Sequence, residues 1–96
     1  MISQQQIDII IKVMKPYKPK KIGIFGSYAR GENSKESDID ILYQFEEPIS
    51  LFEKSNILDA LQEQLNSSVD LVSEKYLHPY LKGQILKDLR VIYGEG

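Results

Sequence analysis

The stretch from Lys21 to Phe45 constrains this chain more than any other. It opens with a compact apolar run, Lys21-Ile-Gly-Ile-Phe, that stops at Gly26-Ser27, the pattern of a buried strand ending in a tight turn. The glycine lets the backbone turn closely, and the serine can cap a short helix expected from about Tyr28 to Arg30. A polar loop, Glu32 to Glu36, expected to be mobile, leads to a second β-rich run from Asp38 to Phe45. Within a strand, Asp38 and Asp40 project from one face. Two carboxylates aimed at one point repel unless something positive sits there. The usual answer is Mg²⁺, a hard ion taken by one or two carboxylates together with substrate phosphates. Backbone N–H groups at the Gly26–Ser27 turn and at the start of the short helix would offer those phosphates donors and the positive end of a dipole. One half of the stretch suits phosphate and the other suits metal.

Each half has a plainer reading when taken alone. Gly-Ser is then merely a turn, and Asp-x-Asp a solvated strand edge. Their occurrence together, in order and with a strand-like run behind each, favours the nucleotide and metal reading.

With 96 residues the chain makes one small domain, 1–96, without room for a separate substrate domain, so it is expected to borrow surface from a partner. Its net charge of −2 provides no global field for nucleic acid, and polymerase-like DNA binding is unsupported. The absence of cysteine excludes a disulfide framework and a thiolate metal site. No apolar run approaches membrane-spanning length and no signal-peptide pattern opens the chain, so a soluble cytoplasmic protein is expected. The tyrosines at 17, 28, 43, 76, 80 and 93 form no stacking array of the kind single-strand binders use.

Helices flank this centre. Ser3 with Gln6 forms a capping box ahead of Ile7, Ile10, Ile11 and Met14, which predicts a helix over about 3–14. Pro16 and Pro19 end it, and Lys12, Lys15, Lys18, Lys20 and Lys21 gather positive charge there. That cluster reads as a solvated helix end and loop, or as a patch for an acidic partner or for a triphosphate tail. Ser50 with Glu53 forms a second capping box, and Leu51, Ile57, Leu58, Leu61 and Leu65 predict a helix over about 50–65 covering one sheet face. Val69-Asp70-Leu71-Val72 then reads as a strand with a carboxylate inside an apolar run. A charge there is costly to bury without a partner, which marks Asp70 as a site candidate. Pro79 opens a last helix with Leu81, Ile85, Leu86 and Leu89 expected to be buried, and His78 before it suits a capping or surface role. Val91-Ile92-Tyr93 reads as a short final strand, with fraying expected from Gly94 to Gly96. Arg30 could orient phosphate or pair with a nearby acid, and both readings stay open. The expected fold is α/β, a small mixed sheet built from the strands near Lys21, Asp38 and Asp70 and flanked by amphipathic helices.

Gly26-Ser27-Tyr28-Ala29-Arg30-Gly31, followed after five residues by Ser37 and then Asp38-Ile39-Asp40, resembles the signature of the nucleotidyltransferase superfamily typified by DNA polymerase β. The small size resembles the minimal nucleotidyltransferases, found as antitoxins paired with HEPN-domain toxins. The resemblance implies that Asp38 and Asp40 hold two Mg²⁺ ions, and that Asp70 joins them at the catalytic metal and helps remove the proton of the attacking hydroxyl. It implies that Gly26 and Ser27 hold the outgoing phosphates. It further implies transfer of AMP from ATP to a tyrosine hydroxyl of a cognate HEPN ribonuclease toxin, which silences the toxin. The alternatives are nucleotidyl transfer to a small-molecule hydroxyl, and an antitoxin that blocks its toxin by binding alone.

Overall fold

A computed structural model describes residues 1–94. Its elements follow in the order α1 (Gln4–Met14), β1 (Pro19–Phe25), α2 (Ser27–Arg30), β2 (Ile39–Phe45), α3 (Leu51–Leu65), β3 (Val69–Ser73), α4 (Pro79–Asp88) and β4 (Arg90–Gly94), with 3₁₀ turns at Lys15–Tyr17 and Glu74–Tyr76. Both capping boxes form: Ser3 and Gln6 close on each other's backbone at the start of α1, as do Ser50 and Glu53 at the start of α3. Each satisfies two N–H groups that a helix start otherwise leaves without partners. His78 caps α4, its Nδ1 accepting from the Tyr80 N–H at 3.2 Å, ahead of Pro79 in the first turn.

The sheet runs β3-β2-β1-β4, with β1 antiparallel to β2 and β4, and β2 parallel to β3 through the crossover helix α3. Side chains alternate between its faces. Ile22, Ile24, Ile39, Ile41, Tyr43, Val69 and Leu71 point to one side and pack with Ile7, Ile10 and Met14 of α1 and with Ile57, Leu61 and Leu65 of α3. At about 25 cal/mol per Å² of apolar area removed from water, this layer is the main source of stability. The residues between them, among them Gly23, Asp40, Leu42 and Asp70, face the other way.

On that second face α4 is only loosely seated. Leu89, just past its end, lies over Gly23, where an added Cβ would come within 2.5 Å of Leu89 Cδ1. The glycine is what lets the helix end approach the sheet. Beyond this contact α4 borders an open cleft of about 670 Å³ lined by Lys21, Gln44, Glu74, Lys82, Leu86 and Val91, among others. The burial expected for its apolar stripe is corrected accordingly: Leu81 is 54% and Leu86 38% exposed, and Ile85 and Leu89 are only half-buried. The periodicity is real, but the sheet face beneath the helix is occupied only near its end. Leu51 is a second correction; it stands 86% exposed at the first position of α3, before the helix reaches the sheet.

One boundary also differs from expectation. Gly94 pairs with Lys21 as the last residue of β4 rather than fraying, while residues 95–96 lie outside the described range. The loop after α2 carries its own turn, Ser37 N–H to Ser34 O at 3.2 Å and Ser34 N–H to Ser37 Oγ at 2.8 Å. Among the described residues, no helix is long and apolar enough to cross a membrane.

Candidate active site

The chain directions collect the C-terminal end of β1 and the N-terminal ends of β2 and β3 at one edge of the molecule. Register pairs Phe25 with Asp40 and Asp40 with Asp70. Residues in register on neighbouring strands share a face, with strand axes about 4.8 Å apart. Asp40 and Asp70 therefore stand side by side on the face opposite the core. The turn after β1 meets them there. Gly26 adopts φ 72°, ψ −153°, backbone that only glycine enters without strain, and a Cβ on it would run into the Asp40 carboxylate Oδ2. Asp40 and the Gly26 turn thus occupy one spot, although they lie 14 residues apart in sequence.

Gly26 is itself the N-cap of α2 and Ser27 its first helical residue, so the serine does not cap the helix as expected. The carbonyl of Gly26 accepts from the N–H groups of Ala29 and Arg30, both at 3.1 Å. Gly31, at φ 74°, closes the other end with its N–H on Ser27 O, and buried Tyr28 anchors the turn in the core. The N–H groups at the head of this turn have no partner within the helix, which is the general basis of anion binding at such ends.

Asp38 precedes β2 rather than lying in it, and is exposed. The ladder therefore does not hold it as the alternation argument supposes. It nevertheless acts on Asp40, whose carboxyl is raised from 3.8 to about 6, first by burial and then by the negative charges of Asp70 and Asp38, against a lowering by Arg30. Asp70 requires a correction as well. Val69 and Leu71 are buried but Asp70 between them is exposed, so the desolvation reasoning attached to it belongs to half-buried Asp40. Among the described residues, no three acidic or histidine side chains converge closely enough to hold an ion as they stand. The donor set still fits Mg²⁺. It consists of hard carboxylate oxygens carrying uncompensated negative charge, and that ion completes its shell with water and substrate phosphate.

Of the two readings open for Arg30, pairing with nearby acids is the one the structure shows. It lies close enough for its charge to act on Asp40, yet its guanidinium is engaged by acids: Nε with Glu32 Oε2 at 2.9 Å and Nη1 with Asp88 Oδ2 at 2.6 Å. Its own pKa is raised by the hydrogen bonds to Glu32 and then Asp88. Asp88, on α4, was not anticipated. Its sequence signal is an acid in the last turn of a helix, where the dipole disfavours negative charge.

The lysine cluster is not part of the site. Lys18 and Lys20 flank the start of β1, and the seven residues of that strand put them about 20 Å from its other end. The triphosphate-tail reading of the cluster is therefore corrected. Lys21 is the exception within the group, bound at 2.7 Å to Glu74 with both side chains mostly shielded.

Comparisons with known proteins bear on the family of the chain. The family model described as nucleotidyltransferase domain matches residues 7–92. The protein adenylyltransferase MntA of Thermococcus cleftensis is 33% identical over 94 residues, covering 93% of this chain and 95% of the relative. A toxin-antitoxin crystal structure with AMP-PNP superposes with a TM-score of 0.83 at 27% identity, over 93% of this chain and 73% of that one. A structure of tri-AMPylated Shewanella oneidensis HEPN toxin in complex with MNT antitoxin superposes with a TM-score of 0.79 at 25% identity, over 98% and 74%.

Proposed function

The chain belongs to the nucleotidyltransferase domain family and is an enzyme of that class, and from this premise we propose that it transfers AMP from ATP to a tyrosine hydroxyl of a cognate HEPN-domain toxin in the cytoplasm. The observation that carries the reading is the packing of the Asp40 carboxylate against the Gly26 turn, with Asp70 in register beside it. On this reading the Gly26 turn serves as the phosphate binder and the two acids beside it as metal ligands of one nucleotide site.

Asp38, Asp40 and Asp70 would hold Mg²⁺. When bound, the ions offset the charge developing on the attacking and leaving oxygens of an in-line displacement at the α-phosphate. The protein's own contribution is orientation and proton handling. Free N–H groups at Gly26 and Ser27 hold the β- and γ-phosphates, which depart as pyrophosphate, and the Ser27 hydroxyl adds a donor. Arg30, at the far end of the same turn, steers the phosphate charge. Asp70, exposed at the rim where an incoming hydroxyl arrives, accepts its proton. The acceptor oxygen forms a bond to the α-phosphorus as the bond to the bridging oxygen breaks.

The test is to incubate the chain with Mg²⁺, each labelled nucleoside triphosphate in turn, and the partner toxin, and to measure the partner's intact mass. Addition of AMP to a tyrosine, dependent on ATP, is expected. An unmodified partner that is nonetheless silenced by association would favour blocking by binding alone. Modification of a small hydroxyl compound instead would move the acceptor away from protein.

A further inference from the structure

The charge of Arg30 is felt at Asp40, and in the free protein its guanidinium is already bound to acid. Glu32 lies two residues on in the same loop, so its contact is local. Asp88 is different: it reaches Arg30 from the last turn of α4, 58 residues away in sequence, with only 21% of its side chain exposed. A carboxylate at that helix position works against the helix dipole. Helix stability alone therefore gives no reason for an acid here, whereas the ion pair does.

The seating of α4 gives the pair further significance. None of its residues is buried, and Tyr80 and Leu81 near its start are 91% and 54% exposed. What fastens its end is Leu89 over Gly23 and the Asp88 bond to Arg30. One of these is apolar and insensitive to charge. The other is an ion pair whose cation would face a polyanion whenever a nucleoside triphosphate occupied the Gly26 turn.

We propose that Asp88 is a positioning residue of the nucleotide site: it holds the Arg30 guanidinium in the free protein, yields it to phosphate oxygens of bound nucleoside triphosphate, and so ties the docking of α4 to occupancy of the site. The proposal rests on the nucleotidyl-transfer reading. Phosphate has the advantage in this exchange because it offers several charged oxygens in the fork geometry that arginine matches, against the single Nη1 contact of Asp88. Asp88 then acts on nucleotide affinity through Arg30 without touching the nucleotide. The charge of Arg30 is also felt at Asp40, so its position bears on both halves of the site.

The experiment uses the full chain as wild type, Asp88→Asn and Asp88→Glu. MgATP binding is measured by calorimetry, steady-state transfer gives KM and kcat, and hydrogen exchange is followed across residues 79–94 with and without MgATP. Removing the competitor should tighten MgATP binding about three- to tenfold, the scale of one partly exposed charged hydrogen bond. KM should fall while kcat holds, and Asp88→Glu, which keeps the charge, should stay close to wild type. In the wild type, α4 amides should exchange faster when MgATP is added. In Asp88→Asn they should already be fast and respond little. If the wild type binds MgATP but Asp88→Asn binds it equally or more weakly, the exchange of partners is wrong while the nucleotide site stands. Exchange in α4 that ignores MgATP in the wild type would refute the tie to docking. Failure of the wild type to bind MgATP at all would remove the nucleotide reading and this inference with it.

Discussion

Replacing Asp40 with asparagine should stabilise the free protein while abolishing transfer. In the folded chain this carboxyl is raised from 3.8 to about 6, by burial first and by Asp70 and Asp38 next. A group whose pKa rises on folding contributes full stability below its unfolded value and loses it as pH increases through the folded one. Between pH 3.8 and about 6 the wild type therefore becomes less stable, and above that it carries the whole cost of an ionised Asp40. The gap corresponds to at most about 3 kcal/mol. Because the side chain is only half-buried and water screens its neighbours, we take about 1–2 kcal/mol. Asparagine keeps the shape, removes the charge, and should raise Tm near pH 7 by about 5–10 °C for a domain of this size. Urea unfolding of both proteins at pH 4, 5.5 and 7.5, without divalent cations, measures the difference directly. The advantage of Asp40→Asn should grow across this series and be close to nil at pH 4. Added Mg²⁺ with ATP should stabilise the wild type and not the variant. A variant no more stable than wild type at pH 7.5, or an advantage independent of pH, would refute the view that burial and the neighbouring acids make an ionised Asp40 costly.

The other expectations are more local. Gly26→Val should lose ATP binding and destabilise the fold by about 1–3 kcal/mol, read by calorimetry and urea unfolding, because its Cβ meets the Asp40 carboxylate and its φ of 72° is strained for any side chain. Ser27→Ala should bind ATP only modestly more weakly in the same assay, since the backbone donors remain. Lys21→Met should cost about 1–3 kcal/mol by leaving the shielded Glu74 unpaired, yet leave ATP affinity unchanged because Lys21 lies four residues, roughly 13 Å, along β1 from the strand end that carries the Gly26 turn.

What could be read in the sequence was what depends on near neighbours. The capping boxes are bonds between residues three apart, so Ser3 with Gln6 and Ser50 with Glu53 fixed both helix starts before any tertiary contact was considered. The strand over Val69–Val72 is likewise legible in its own run, but the openness of its other face is not: Asp70 is exposed there, and the burial cost assigned to it does not arise. The apolar stripes of α3 and α4 gave the correct periodicity but not how much of each helix meets the sheet, hence the exposed Leu51, Leu81 and Leu86. The charge of Lys18 and Lys20 is legible in sequence but their place is not, because the extended strand β1 sets them at the end away from the Gly26 turn. Contacts across the chain, such as Gly26 with Asp40 and Arg30 with Asp88, depend on the assembled fold and left only faint traces, a glycine at a turn and an acid at the wrong end of a helix.

The central claim is that this chain modifies its partner rather than merely covering it, and Asp70→Asn tests that claim most directly. Asp70 is exposed beside Asp40, so the substitution should leave folding and association intact while removing a metal-binding charge and the proton acceptor. The partner toxin, mixed with Mg²⁺, ATP and either protein, is recovered as a complex and weighed intact by mass spectrometry. The wild type should add AMP to the partner, and Asp70→Asn should bind it yet leave its mass unchanged and the toxin active. A partner modified to the same extent by Asp70→Asn, or silenced equally well without gaining mass, would contradict the account.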